Sequence, residues 1–283
     1  MLILKLLGLN KRFLVGGLGR PVVSLLTDFG LKDSYVAEMK AVILSLCPRA
    51  SLVDITHEVE PFNLRAAAYL LSRAAPWFPR GTVHLAIVDP GVGGGRKPLI
   101  VEAEGAVFVG PDNGILLPAA RKLGLKRVYE IRSEKLPKRF TEVFHGRDIF
   151  APTAARLACG VKPSSLGVET SEFVEEVIPQ AKILEGKIRG EIVYADRFGN
   201  LVTNIGRKLL EAFNVKPGSL LKVSFKERKA LTVRFLQAYS QAEVGELLTL
   251  IGSWGTLEVS ANQAKASEKL KVGVGEELWV EKA

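Results

Sequence analysis

The sequence predicts an α/β protein of two domains: an N-terminal α/β sandwich-like domain with a central, mostly parallel sheet, and a smaller C-terminal β-barrel domain. Three observations lead there. Up to about residue 180, short apolar runs alternate with stretches of helical periodicity, the pattern of a sheet covered by helices. Beyond it, residues 187–194, 220–225, 231–235, 247–251 and 277–280 read as strands that follow one another directly. Between the two the texture changes over residues 179–186. We therefore expect an N-terminal extension over 1–20, an α/β domain over 21–185 and a barrel over 186–283.

With 283 residues, 47% of them hydrophobic, the chain can bury a core in each domain. No stretch reaches the roughly 20 apolar residues of a membrane helix. Residues 1–20 mix Leu, Lys, Arg and Gly without the apolar run and small-residue cleavage site of a signal peptide, so the expected location is cytoplasmic. The net charge of +9 raises a nucleic-acid partner, but Lys and Arg are dispersed, with no basic stripe interleaved with aromatics. A solvated basic surface is expected, with neither a nucleic-acid nor a membrane partner. Cys47 and Cys159 lie in apolar, helix-like contexts and read as two buried thiols. Three histidines, with no Cys or His pair at ligand spacing, argue against a structural zinc.

The elements follow in order. A strand over 21–26 runs into Thr27-Asp28-Phe29-Gly30 and a helix over 33–47. Asp28 stands at the strand's carboxyl end, where open α/β sheets bind ligands; Asp33 reads either as a helix N-cap or as a ligand group. After a strand over 52–55, His57 sits between acids and reads as a surface residue outside the site. Asn63 caps a helix over 64–75, and Pro76-Trp77-Phe78-Pro79 ends it, with Trp77 assigned to the core. The apolar run 82–88 then delivers Asp89 to its tip. Pro90 and the glycines 91, 93, 94 and 95 break the chain there, leaving room for close approach of a ligand, and Arg96 closes the loop. A hairpin over 99–102 and 106–109 leads to Gly110-Pro111-Asp112-Asn113-Gly114, with Asn113 capping a helix over 115–123. Past a strand over 128–131, Phe144-His145-Gly146-Arg147-Asp148 opens a helix over 148–159. Asp148 reads as its N-cap, and His145 either as a structural histidine or as a proton-transfer group titrating near neutrality. The barrel carries two polar islands, Asp196-Arg197-Phe198-Gly199-Asn200 and Gly252-Ser253-Trp254-Gly255, the second followed by Glu258.

Five motifs in this order, Leu-Thr-Asp-Phe-Gly (26–30), Val-Asp-Pro-Gly-Val-Gly-Gly-Gly-Arg (88–96), Gly-Pro-Asp-Asn-Gly (110–114), Phe-His-Gly-Arg-Asp (144–148) and Asp-Arg-Phe-Gly-Asn-Leu-Val-Thr-Asn (196–204), resemble the S-adenosylmethionine hydroxide adenosyltransferases, relatives of the fluorinases and chlorinases. The likeness runs from Val22 to the end of the chain. It implies an α/β domain joined to a β-barrel, a homotrimer with sites at subunit interfaces, and hydrolysis of S-adenosyl-L-methionine to adenosine and L-methionine by activated water or hydroxide at ribose C5′. By the resemblance the catalytic trio falls on Asp89, Arg96 and His145. Adenosine contacts fall on Asp28, Asn200, Ser253, Glu258 and the backbone of Val259, with Asp33 and Asp196 as further matches. S-adenosyl-L-methionine is then substrate, and no cofactor or metal is implied. The halogenating relatives carry Tyr-Ser in place of His145-Gly146, and a long N-terminal-domain insertion where this chain has a short connection from Gly95 to Gly110. Both differences favour water over halide. Two alternatives stand beside this reading: a halogenase on the same substrate, and a nucleoside-binding sensor with negligible turnover.

Overall fold

The computed structural model describes residues 19–136, 140–175, 177–226 and 230–283. Apart from Gly19 and Arg20, the extension expected over 1–20 lies outside the described residues. Two units divide the chain, one ending at Val177 and the other beginning at Ile178.

The first unit runs β1 (Val22–Thr27), α1 (Tyr35–Leu46), β2 (Ser51–Thr56), α2 (Leu64–Ala74), β3 (Thr82–Ile87), β4 (Pro98–Ala103), β5 (Ala106–Pro111), α3 (Leu117–Lys122), β6 (Leu125–Ile131), α4 (Ala151–Ala158), α5 (Pro163–Leu166) and β7 (Gly167–Glu169). Its sheet has the order β2-β1-β3-β5-β4-β6-β7. The four strands from β2 to β5 are parallel neighbours, whereas β4, β6 and β7 pair antiparallel. Every residue of β3 is buried and β1 is buried from Val23 onward, as expected of parallel strands covered on both faces. Alternation along these strands sends Val23, Leu25, Val83, Leu85 and Ile87 into one core with Met39 and Ile43 of α1 and Ala151, Ala154 and Ala155 of α4. Helices α2 and α3 pack against each other and on the strands from the other side. Asn63 caps α2, its Oδ1 accepting from Ala66 N at 3.0 Å.

The second unit runs β8 (Lys182–Leu184), β9 (Lys187–Ala195), β10 (Leu201–Gly206), α6 (Arg207–Ala212), β11 (Leu220–Phe225), β12 (Leu231–Leu236), β13 (Leu247–Ile251), β14 (Thr256–Ala261), α7 (Ala266–Leu270) and β15 (Glu277–Lys282). Its strand order, β10-β14-β13-β12-β11-β15-β9-β8, is closed by a further pairing of β10 with β9, which makes a seven-stranded barrel with β8 alongside β9. Ile188, Ile192, Leu201, Leu221, Val223, Leu257, Val259, Leu278 and Val280 fill its interior. Among the described residues no helix is long and apolar enough to cross a membrane.

Several local expectations are corrected. Cys47 and Cys159 form a disulfide rather than two free thiols, because α1 and α4 lie side by side and bring their C-terminal caps to a Cα separation of 5.9 Å across 112 residues of sequence. His57 is buried, not on the surface: Nδ1 meets Thr27 Oγ1 at 2.8 Å and Nε2 meets Asp54 Oδ1 at 3.1 Å. Trp77 is 61% exposed and contributes little to the core. The N-cap of α1 is Ser34, leaving Asp33 exposed in the preceding turn. The helix expected from residue 148 begins as a π-helical turn over Gly146–Phe150 and becomes α-helical at Ala151, so Asp148 lies inside the turn rather than capping it.

Candidate active site

β3 places Asp89. Thr27 of β1 is the Cα partner of Ile87 of β3, so Asp28 and Asp89 leave neighbouring parallel strands at the same edge. The chain departs from β1 to β2 on one side while β3 lies on the other, which makes this edge the switch point where α/β sheets open a crevice. Val88 O accepts a hydrogen bond from Asn113 Nδ2 at 2.8 Å, and so the backbone just ahead of Asp89 is pinned. The glycine loop then doubles back, with Val92 N donating to Asp89 O at 3.3 Å, Gly94 N to Gly91 O at 3.0 Å, and Gly93 at φ +78°. That reversal returns Arg96 to Asp89.

Arg96 is the hub. Its Nε donates to both carboxylate oxygens of Asp89 at 3.0 Å, and Nη2 also donates to Oδ2. Nη2 lies 2.8 Å from His145 Nδ1. A guanidinium nitrogen only donates, so Nδ1 is the acceptor and the proton of a neutral His145 sits on Nε2. Phe150 of the π turn lies under the guanidinium, with Cζ 5.1 Å from the ring centroid. The side chains of Arg96 and Asp89 are 11% and 6% exposed, and His145 is buried. Among the described residues nothing accepts from Arg96 Nη1. The acid, guanidinium and imidazole that the sequence places in separate loops are thus bonded into one group around Arg96.

Around the group, Asp28 Oδ2 accepts from the backbone N–H of Phe62 at 2.9 Å, and Phe62 holds φ +66° to make that contact. The rings of Phe29, Tyr35 and Phe144 form a cluster with centroids 5.2 to 6.0 Å apart, between Asp28 and His145 in the motif order. Asp33 is exposed and enters none of these contacts. Asp112 acts locally, its Oδ1 accepting from Val174 N at 2.7 Å.

The second unit has its own polar groups. Asp196 Oδ1 accepts from Phe198 N and Asn200 N, both at 2.9 Å, and Oδ2 from Asn200 Nδ2 at 2.8 Å. Its carboxylate therefore shapes the turn that orients Asn200. On β14 the neighbours Leu257 and Val259 point into the barrel core, which turns Glu258 outward. It is nonetheless 4% exposed. Tyr239 covers it, donating its O–H to Oε2 at 2.9 Å, and burial together with the Glu258 charge pushes the Tyr239 phenol well above its usual range. Gly252 lies against it, and a Cβ there, 1.6 Å from Glu258 Oε1, would displace the carboxylate. Val259 offers only backbone, its side chain being buried, and Ser253 is exposed in the turn before β14. Sequence reasoning passed over Tyr239; an isolated aromatic in a short connection carries no local signal, and only the strand register brings it to Glu258.

Residues 23–167 match the model of the SAM hydroxide adenosyltransferase N-terminal domain and residues 190–279 that of the C-terminal domain. The (R)-S-adenosyl-L-methionine hydrolase of Methanocaldococcus jannaschii is 36% identical over 266 residues, covering 92% of this chain and 95% of that protein. A fluorinase from Actinopolyspora mzabensis is more distant, 28% identical over 274 residues, with 87% and 92% covered. Among solved structures, an uncharacterized conserved protein from Thermotoga maritima superposes with a TM-score of 0.86 at 38% identity, over 92% of this chain and 99% of that one. With both halves matched in order, the chain belongs to the SAM hydroxide adenosyltransferase family.

Proposed function

We propose that this protein hydrolyses S-adenosyl-L-methionine to adenosine and L-methionine, with Asp89, Arg96 and His145 as catalytic residues. The observation that carries the reading is the bonded acid–guanidinium–imidazole group, in which Arg96 Nη1 has no acceptor among the described residues. The substrate's sulfonium leaves C5′ as a neutral thioether, so the leaving group needs neither an acid nor a metal. The difficulty lies in the nucleophile. Arg96 Nη1 holds the water oxygen and stabilises the negative charge that develops on it. His145 Nδ1 is the basic nitrogen of the neutral ring, and it faces an Arg96 N–H. As the guanidinium shifts toward the nascent hydroxide, Nδ1 is released to take the water's proton. Asp89, with both oxygens accepting from Arg96, orients the guanidinium. The transferred proton leaves hydroxide and Asp89 balancing imidazolium and guanidinium, so no net charge builds up in the site.

Asp28 accepts from the ribose hydroxyls, and Asn200, Ser253, Glu258 and the Val259 backbone read the nucleoside, with Asp196 holding Asn200 in place and Asp33 as a peripheral contact. By the family resemblance the enzyme is a cytoplasmic homotrimer, in which the residues of one subunit complete the site of the next. Water is favoured over halide because of Gly146: a Cβ there would stand 3.0 Å from the Phe144 ring and 3.2 Å from Met39 Sδ, so the serine of the halogenating relatives does not fit without movement of both.

The test is to incubate the protein with S-adenosyl-L-methionine in heavy-oxygen water, with and without chloride, and to separate the products by chromatography. Adenosine labelled at its 5′ oxygen, together with free methionine, is expected. A chlorinated nucleoside would make it a halogenase, and tight adenosine retention with no methionine release would make it a sensor.

A further inference from the structure

Resting on that reading, we propose that Arg147 is a positioning residue for His145: it fastens the His145 loop to α1 and so sets the imidazole on Arg96. Its guanidinium joins three parts of the first unit. Nε and Nη2 fork onto the carboxylate of Asp148 at 2.7 and 3.2 Å, and Nη1 reaches Glu38 of α1 at 2.9 Å. Two rings lie against it, with Cζ 5.0 Å from the centroids of both Phe140 and Phe144. Asp148 extends the fastening upstream, accepting from Phe140 N at 3.2 Å and Thr141 N at 2.9 Å.

Burial works against the charge on Asp148, but the Arg147 fork and the two backbone donors outweigh it and hold the carboxyl below its usual range. Arg147 is held ionised by Asp148 and Glu38. The segment from Phe140 to Asp148 is therefore closed on itself and tied to a helix of the core. His145 sits within that closed segment, and Phe144, next to it, is gripped between Arg147 and the rings of Phe29 and Tyr35. Glycine at 146 lets the loop lie directly on Met39 of α1. The distance that matters, 2.8 Å from His145 Nδ1 to Arg96 Nη2, is held on the His145 side by a loop that Arg147 ties to Asp148 and Glu38. Lysine can replace the charge, but neither the fork nor the double ring contact.

Two measurements on the full-length protein test this. In Arg147→Met, kcat for methionine release should fall roughly tenfold to a hundredfold with KM changed less than about twofold, since a displacement of about 1 Å costs this much. Arg147→Lys should recover part of the loss, and Glu38→Gln, which cuts only the tie to α1, should give a smaller one. Nitrogen NMR of histidine-labelled protein follows the ring itself and is tractable with three histidines. Wild-type His145 should show an unprotonated Nδ1 and a protonated Nε2, and Arg147→Met a mixture of tautomers. An unmixed tautomer with kcat within twofold of wild type overturns the proposal. So does a kcat loss that merely tracks the unfolded fraction while the ring signals stay put. If the wild-type protein releases no methionine, the hydrolase reading fails, while the ring tautomer still decides the role of Arg147.

Discussion

In the first unit the charged groups of the candidate site are bonded chiefly to one another, whereas in the second they are bonded to the turns and rings that carry them. Arg96 donates to Asp89 and His145 together and, among the described residues, keeps one donor pair over. Asp196 instead uses both oxygens on its own turn, and Glu258 lies under Tyr239 against a glycine. The first arrangement stores electrostatic preorganisation, which has its effect when charge develops in a transition state. On the proposed reading the second contacts the nucleoside in ground and transition states alike and so governs affinity. The two regions should fail in different ways.

The largest expected effect is on turnover. Arg96→Ala and His145→Ala should each lower kcat by about 10²- to 10⁴-fold and leave adenosine affinity, measured by calorimetry, within about threefold. An equal fall in affinity would erase the contrast between the units. Next, both cysteines belong to the first unit, so reducing the Cys47–Cys159 disulfide, or Cys47→Ser with Cys159→Ser, should lower its unfolding free energy by about 2–4 kcal/mol in denaturant titrations, with kcat nearly unchanged.

Acid sensitivity should also reside in the first unit. His84 is fully buried on β3 between Phe78 and Phe108, its Nδ1 against Ser24 Oγ at 2.6 Å, and burial pushes its pKa down to about 4. The unfolded chain, titrating near 6.5, therefore binds more protons than the folded one over this range. Stability should be full above pH 6.5 and decline as the pH falls toward 4, by at most about 3 kcal/mol. His84→Gln should flatten that part of the stability–pH curve; an unchanged slope would remove His84 as its source.

The smallest effect sharpens the other side of the comparison. Gly252→Ala drives the Glu258 carboxylate from Tyr239 and should weaken adenosine binding about tenfold, roughly 1.4 kcal/mol, with kcat at saturation within twofold. Asp28→Ala should also weaken nucleoside binding, and calorimetry showing wild-type affinity would withdraw Asp28 from the ribose.

Much of this was legible in one dimension. The apolar runs that mark β1 and β3, the cap at Asn63, the glycine break after β3 and the run of strands beyond residue 186 are set by neighbours a few positions apart, and hydrophobic pattern and turn chemistry report them. The meeting of Asp89, Arg96 and His145 was implied by the order of motifs shared with a family, not by any spacing. Where local reasoning misplaced a residue, a distant partner was responsible. His57 looked solvated among acids until Thr27 and Asp54 closed on it, and Trp77 looked like core until its turn proved to lie at the surface.

What the sequence by itself determined is therefore the identity and order of the elements and the residue types offered at each strand end. What only the tertiary structure decided is which of those side chains touch: Arg96 with His145 across 49 positions, Arg147 with Glu38 across 109, Tyr239 with Glu258 across 19, and the two cysteines across 112. The reason is physical. Backbone preference and periodicity depend on nearest neighbours, whereas these contacts depend on strand order, register and helix packing, which many sequences with the same local pattern would resolve differently.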